Sequence, residues 1–172
     1  MNIVLIGLRG SGKTTVGKKL SELFKMNFLD TDLLIEKKAN MKISKFINKK
    51  GIAKFRNIER QIINNLPGID NYVIATGGGV VENNQNMTVL KKNGHTVYLK
   101  AQPKLLYRRI GDDAKRPILT QTSDMLKDLK NLYTKRTKLY EKYADLIIET
   151  DNLPVSEVTN QLIKFYYDKF KN

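Results

Sequence analysis

The sequence predicts a three-layer α/β/α fold, in which helices cover both faces of a central five-stranded parallel sheet. Short apolar runs alternate along the chain with longer segments of helical character. The apolar runs are continuous, which is typical of parallel strands that are buried on both faces. A glycine-rich turn joins the first run to the first helical segment. The length of 172 residues suits one domain, so we expect a single domain over residues 1–172.

Helix-start and turn signals separate the predicted elements. Pro103 and Pro154 each suit the first turn of a helix. The helical stretch 33–65 is expected to break near Asn40 and Gly51. The predicted strands are 3–6, 28–30, 72–75, 96–99 and 146–148. The other predicted helices are 13–24, 84–93, 103–110, 123–143 and 154–170.

The composition excludes several classes of function. The chain contains no cysteine, which rules out disulfides, thiolate metal sites and a cysteine nucleophile. It has no apolar run of about 18 residues that could span a bilayer, and its N-terminus lacks the pattern of a signal peptide. We therefore expect a cytoplasmic protein that has no membrane partner. We also expect the protein to act as a monomer.

The formal net charge of +14 permits two interpretations. It could indicate a polyanion-binding protein. Alternatively, it could reflect a general bias of the amino-acid composition toward lysine, together with local attraction for phosphorylated ligands. We favour the second and expect no nucleic-acid partner, because the lysines are spread along the whole chain. Arginine is the more informative cation, since lysine cannot supply a planar bidentate fork. The seven arginines are Arg9, Arg56, Arg60, Arg108, Arg109, Arg116 and Arg136.

The first glycine-rich turn matches the phosphate-binding pattern G-x-x-x-x-G-K-[ST] from Gly7 to Thr14. Its glycines allow backbone N–H groups to point at phosphate oxygens, and the following helix adds the positive end of its dipole. Lys13 is expected to reach the β- and γ-phosphates of ATP, and the Thr14 hydroxyl to ligate Mg²⁺. The predicted nucleotide-binding residues of this P-loop are Gly10, Ser11, Gly12, Lys13, Thr14 and Thr15.

Two carboxylates, Asp30 and Asp32, close the second predicted strand. Their i, i+2 spacing places both side chains on the same side of an extended chain, so they can serve two tasks at neighbouring points. Asp32 could equally cap the helix that follows.

Two further motifs suit the binding of a small acidic molecule. Arg56 and Glu59 lie three residues apart on one helix face, either as an ordinary salt bridge or as a buttressed carboxylate-binding arginine. Gly77, Gly78 and Gly79 follow a buried strand, where α/β folds bind ligands. Bare backbone at this point allows close approach of a ligand, although a simple flexible turn would have the same composition.

Together these motifs resemble the shikimate kinase family from about residue 3 to residue 158. The matching segments are the P-loop, FLDTD (28–32), FRNIE (55–59), TGGG (76–79), RPIL (116–119) and RTKLY (136–140). The resemblance implies a P-loop NTPase fold of the nucleoside-monophosphate-kinase type. It also implies a mobile lid at about 111–122 and a substrate-binding helical segment at about 32–65. The implied reaction transfers the γ-phosphate of ATP to the 3-hydroxyl of shikimate in aromatic amino acid biosynthesis.

The resemblance also implies roles for residues on the acceptor side. Asp32 would orient or deprotonate the attacking hydroxyl, and Asp30 would hold Mg²⁺ through water. Arg56 and Arg136 would bind the shikimate carboxylate. The glycines Gly77, Gly78 and Gly79 would line the shikimate pocket. Lys138 stands where the family usually has proline. The backbone conformation after Arg136 therefore has to be established from the structure.

On the nucleotide side, the resemblance implies that Arg116 closes over the γ-phosphate as part of the lid. Arg109 would stack on the adenine ring, with Pro154 as the second wall. For Pro154, the start of a helix is an equally simple interpretation.

Two competing functions remain open at this point. A P-loop kinase for gluconate or a nucleoside monophosphate would share the phosphate loop but not the full set of acceptor motifs. A nucleotide-dependent nucleic-acid binder would need clustered lysines with stacking aromatic residues.

Overall fold

A computed structural model describes residues 1–111, 119–120, 122 and 124–170, with backbone alone for 169 and 170. Within this part of the chain, five strands form one sheet, and every neighbouring pair is parallel. The strands are β1 (Asn2–Ile6), β2 (Asn27–Asp30), β3 (Tyr72–Ala75), β4 (Gly94–Lys100) and β5 (Leu146–Glu149). Their spatial order is β2-β3-β1-β4-β5, which puts β1 at the centre and confirms the predicted parallel α/β sheet.

Helices connect the strands as the sequence predicted. They are α1 (Lys13–Phe24), α2 (Thr31–Ala39), α3 (Ile43–Lys50), α4 (Ile52–Asn64), α5 (Asn84–Asn93), α6 (Pro103–Ile110), α7 (Met125–Tyr143) and α8 (Val155–Phe170). A single 3₁₀ turn, Val80–Glu82, follows the triple glycine. None of the described helices is both long and apolar enough to cross a bilayer.

Two boundaries differ from the predicted ones for identifiable reasons. Strand β4 begins at Gly94, earlier than the apolar run, because Gly94 and His95 pair with Asn2 and Ile3 of β1. Helix α7 begins at Met125, because the Asp124 side chain accepts the N–H of Lys127 at 2.9 Å and caps the helix. Strand pairing and helix capping, rather than the hydrophobic pattern, therefore determine where β4 and α7 begin.

The central strand divides its side chains between two apolar clusters. Ile3 and Leu5 pack into one cluster with residues of α1 and α8. Val4 and Ile6 point to the opposite face, where they pack with residues of α4 to α7. Because side chains alternate along a strand, one buried run serves both faces of the sheet. This arrangement produces the three layers.

The stretch between β2 and β3 contains three helices that end where breaks were expected. Asn40 adopts a left-handed conformation with φ 46° after α2, and Gly51 has φ 83° between α3 and α4. A left-handed residue is a common way to end a helix, and asparagine and glycine tolerate it best. Helix α4 carries Arg56 and Glu59 toward the carboxyl end of the sheet.

Candidate active site

Most of the predicted ligand-binding groups line one cavity of about 1120 Å³. It lies where chain segments leave the carboxyl ends of the strands. This is the usual ligand-binding edge of an open α/β sheet. The cavity brings together Lys13, Asp32, Arg56, Arg109 and Arg136, which are widely separated in sequence. All the predicted P-loop residues from Gly10 to Thr15 and all three glycines of the TGGG segment line it too.

The phosphate loop connects β1 to α1 and depends on glycine conformation. Gly12, the residue before α1, has φ 94°, a left-handed conformation that an L side chain would strain. The Nζ of the largely buried Lys13 donates to the carbonyl oxygens of Gly7 and Leu8, both at 2.8 Å. The lysine charge is therefore held at the centre of the loop, where a phosphate oxygen can replace one of these acceptors.

Asp30 has two functions in the structure, one for each carboxylate oxygen. Its Oδ1 accepts the N–H groups of Asp32 at 3.0 Å and Leu33 at 3.4 Å, which makes Asp30 the N-cap of α2. Its Oδ2 accepts the Thr14 hydroxyl at 2.9 Å. The capping role considered for Asp32 thus belongs to Asp30, two residues earlier.

Asp32 is the second residue of α2, and its carboxylate faces the cavity. Its position in the first turn of the helix favours the negative charge. The carboxylate lies directly against Gly77, since a Cβ added to that glycine would come within 2.7 Å of Asp32 Oδ1. The Gly77 N–H donates to the Thr31 hydroxyl at 3.1 Å, so this amide is already used in positioning α2. Gly78 and Gly79 are the remaining candidates for backbone donation to a substrate oxygen.

Arg56 is held by Glu59 on the same face of α4. One terminal nitrogen of Arg56 donates to both Glu59 oxygens, at 3.0 and 2.9 Å. Glu59 is 1% exposed. Its burial raises the pKa of the Glu59 carboxyl above the usual value, although Arg56 opposes the shift.

The other terminal nitrogen of Arg56 lies against Gly79. A Cβ added at Gly79 would overlap the guanidinium, so the absence of a side chain there permits the arginine to lie in this place. Glycine is required at this position for close approach.

Arg136 on α7 is positioned by Glu82, which follows the triple glycine. The Nε of the nearly buried Arg136 donates to Glu82 Oε1 at 2.7 Å, and Lys135 Nζ lies 3.3 Å from the same oxygen. Partial burial acts to raise the pKa of Glu82, but the two cations lower it overall. Because the bond to Glu82 uses Nε, the terminal end of the guanidinium is directed away from Glu82 and can contact a ligand carboxylate.

Lys138 does not disturb this arrangement. Helix α7 runs unbroken from Met125 to Tyr143, and Lys138 is exposed on it. The buried Tyr140 stacks on Tyr98 with 4.7 Å between ring centroids, and its hydroxyl donates to the Gly78 carbonyl. Arg136 therefore reaches the cavity from a regular helix that is fastened to the triple glycine.

The nucleotide side of the cavity is lined by residues after β4 and β5. Arg109 donates to the Thr150 hydroxyl at 3.0 Å and to the Thr150 carbonyl at 2.7 Å. Leu153 and Val155 line the cavity, whereas Pro154 is exposed and its carbonyl accepts the first N–H bonds of α8. The structure thus places the neighbours of Pro154 in the apolar wall. Arg116 lies outside the described residues, and Leu119, at the end of its motif, lines the cavity.

Several supporting residues could not be identified from the sequence. Glu82 and Thr150 hold Arg136 and Arg109 across 54 and 41 residues of chain. The two residues of each pair are too far apart in the sequence to form a recognisable motif. Thr31 was visible inside the FLDTD segment, but its hydrogen bond to Gly77 depends on the pairing of β2 with β3.

A phosphate loop after the central strand of this sheet, beside a cavity with a carboxylate and two buttressed arginines, defines a small-molecule P-loop kinase. The family model described as shikimate kinase matches residues 9–167. The chain belongs to the shikimate kinase family.

Individual relatives agree with this assignment. A shikimate kinase of Caldanaerobacter subterraneus is 40% identical over 165 residues, covering 96% of this chain and 95% of the relative. One of Thermodesulfovibrio yellowstonii is 42% identical, covering 96% and 94%. The solved shikimate kinase of Acinetobacter baumannii in complex with shikimate matches with a TM-score of 0.93 and 34% identity, covering 99% of this chain and 95% of that one. The structure of the Aquifex aeolicus enzyme gives a TM-score of 0.83 at 33% identity, with both chains fully covered.

We predict that Gly79→Ala displaces Arg56 and weakens acceptor binding. The backbone of Gly79, with φ −99° and ψ 1°, suits alanine, so the added methyl acts through contact with Arg56. The KM for shikimate should rise at least about tenfold, since a charged hydrogen bond contributes roughly 1.5–3 kcal/mol. Steady-state kinetics with each substrate varied in turn would measure this.

The KM for ATP and the thermal unfolding midpoint serve as internal controls for Gly79→Ala. Arg56→Lys removes the fork without adding a methyl and should raise the same KM. An unchanged KM for shikimate in both variants would remove Arg56 from the acceptor site.

Proposed function

We propose that this protein transfers the γ-phosphate of ATP to the 3-hydroxyl of shikimate, a step of the shikimate pathway to the aromatic amino acids. The observation that carries the proposal is the convergence of Asp32, Arg56 and Arg136 in one cavity with Lys13 of the phosphate loop. Family membership supports the same reaction.

The acceptor end of the cavity suits a small carboxylate-bearing alcohol. Arg56 and Arg136 each have a carboxylate partner, Glu59 and Glu82, which orients the guanidinium and leaves donors for a ligand. Two arginines converging on one point match the two oxygens of a carboxylate through charge-assisted hydrogen bonds. With the carboxylate bound there, Asp32 is the group that meets a hydroxyl near the phosphate loop.

Phosphoryl transfer depends here on positioning and charge. The acceptor hydroxyl oxygen forms a bond to the γ-phosphorus while the bond from that phosphorus to the β–γ bridging oxygen breaks, and ADP leaves. Asp32 orients the hydroxyl and takes its proton. Lys13 neutralises charge on the phosphate oxygens, and the predicted role of Arg116 is to add a second cation there.

Thr14 and Asp30 are suited to hold Mg²⁺. A hydroxyl and a carboxylate oxygen 2.9 Å apart beside the phosphate loop form the hard-oxygen donor set that Mg²⁺ prefers. When bound, the ion would supply positive charge that neutralises part of the charge on the phosphates. Among the described residues, no group of three or more histidine, aspartate or glutamate side chains is arranged to hold a metal ion.

The nucleotide base is proposed to lie between Arg109 and the Leu153–Val155 wall, since these groups line the cavity beyond the phosphate loop. A guanidinium can stack on a purine face.

Five expectations from the sequence stay predictions. They are the single-domain organisation, the lid at about 111–122, a monomeric state, a cytoplasmic location and the lack of nucleic-acid partners.

A substrate panel tests the proposed reaction directly. ADP release should depend on shikimate, and kcat/KM should exceed the values for gluconate and AMP by at least about a hundredfold. AMP has no carboxylate for the two arginines to bind, and gluconate would present its carboxylate in a different position relative to the hydroxyl. A coupled ADP assay run in parallel with the three acceptors measures this. Equal turnover with AMP or gluconate would contradict the proposal.

We predict that Asp32→Asn lowers kcat at least about a hundredfold while the Kd for ATP stays nearly unchanged. Asparagine keeps the size of the side chain and the start of α2, but it cannot accept the hydroxyl proton. Rapid-quench turnover and calorimetric ATP binding measure the two quantities. Wild-type turnover in this variant would exclude Asp32 from the chemical step.

Asp30→Asn is the matched variant for the metal role. Asparagine still caps α2 through Oδ1, so the loss is confined to the charge beside Thr14. The Mg²⁺ concentration for half-maximal activity should rise at least about fivefold. In Asp32→Asn, by contrast, the Mg²⁺ dependence should stay as in the wild type. An unchanged Mg²⁺ requirement in Asp30→Asn would remove Asp30 from the metal site.

A further inference from the structure

Asp128 is a fully buried carboxylate on α7 that lies outside the cavity lining. Its Oδ2 accepts a terminal nitrogen of Arg9 at 2.5 Å. Its Oδ1 accepts the backbone N–H of Leu119 at 3.1 Å and of Thr120 at 2.7 Å. Each oxygen therefore holds a different segment of the chain.

Both of those segments contribute a residue to the lining of the active-site cavity. Arg9 is part of the phosphate loop, between Leu8 and Gly10, and it lines the cavity. Leu119 lines the same cavity and ends the RPIL motif. One buried side chain thus joins α7 to two cavity-lining residues without itself facing the ligand.

The energetics of burial make this a firm connection. A carboxylate with 0% exposure is costly unless charges and hydrogen bonds compensate it. Asp128 obtains that compensation from Arg9, Leu119 and Thr120. Moving either segment away would leave a buried charge incompletely satisfied. The arrangement therefore restricts both segments to one position relative to α7.

We infer that Asp128 is a positioning residue for the nucleotide. It holds Arg9, and with it the phosphate loop, in the conformation that receives the phosphates, and it holds the chain at Leu119 against the same cavity. The inference rests on the proposed binding of ATP in this cavity. It also gives a role to Arg9, whose cation is directed to α7 and to the Met125 sulfur at 2.7 Å.

Asp128→Asn separates the two connections. Asparagine Oδ1 can still accept the two backbone N–H groups, while an uncharged amide replaces the oxygen that faces Arg9. We expect the Kd for ADP and the KM for ATP to rise at least about fivefold, with the KM for shikimate within about twofold of the wild type. Calorimetry with ADP and steady-state kinetics of the full-length protein measure these values.

Asp124→Ala is the matched control. It removes the N-cap of the same helix, four residues earlier, and Asp124 touches no residue of the cavity in the contacts described. It should lower the unfolding midpoint and leave the Kd for ADP within about twofold of the wild type. Arg9→Met should weaken ADP binding as Asp128→Asn does. The double variant should be no worse than Asp128→Asn, because both act through one contact.

The outcomes separate the alternatives. A lowered unfolding midpoint with unchanged ADP and ATP affinity in Asp128→Asn and Arg9→Met would show that the contact is structural. Tighter ADP binding in either variant would show that Asp128 withholds Arg9 from the phosphates, and this also overturns the inference. If Asp128→Asn fails to fold, the Kd for ADP of Arg9→Met decides between the positioning role and the structural role. Binding of ADP is read without shikimate, so failure of the proposed acceptor would leave this test intact.

Discussion

The parallel arrangement of the sheet is the constraint on which the active site depends. Because all described strands run in one direction, the segments after them emerge at one edge. The spatial order of the strands then becomes the order of the ligand parts. The ends of β2 and β3 supply Asp32 and the triple glycine, the end of central β1 supplies the phosphate loop, and the segments after β4 and β5 supply Arg109 and the apolar wall. In the proposed complex, the acceptor and the base would thus lie on opposite sides of the phosphates.

Pairing of arginines with carboxylates, two of which are buried, is the second organising feature. Arg56 is held by Glu59, Arg136 by Glu82, and Arg9 by Asp128. Such pairs add little net stability, because removing both charges from water offsets their attraction. The raised pKa of Glu59 shows this cost, since burial outweighs the neighbouring cation. What the pairs provide is orientation, and this explains why a lysine-rich chain uses arginine here. A planar fork fixed at one nitrogen can still present the others to a ligand.

The sequence predicted the layers, the strands and the phosphate loop, because each depends on local patterns of hydrophobicity and glycine. It also predicted many of the residues that line the cavity, since the family motifs are short and contiguous, but the predicted Pro154 is exposed and does not line it. It did not predict that Asp30 would cap α2, because both aspartates lie near the predicted start of the same helix and the choice between them depends on backbone geometry. The contacts of Glu82 with Arg136 and of Asp128 with Arg9 span 54 and 119 residues. Such pairs are determined by how α7 packs against the sheet, which no local spacing records.

The two carboxylate oxygens of Asp30 connect the proposed metal side of the site with the proposed acceptor side. One oxygen fixes the first turn of α2, and therefore the position of Asp32, while the other contacts Thr14 at the end of the phosphate loop. Gly77 packs against Asp32 and donates to Thr31, which fastens the same turn to β3. In-line transfer requires the acceptor oxygen and the γ-phosphate to be positioned relative to each other. Because one side chain contacts both segments, a shift of the loop at Thr14 would be passed to the first turn of α2. In the proposed complex, this short segment would therefore control the distance between the hydroxyl and the phosphate.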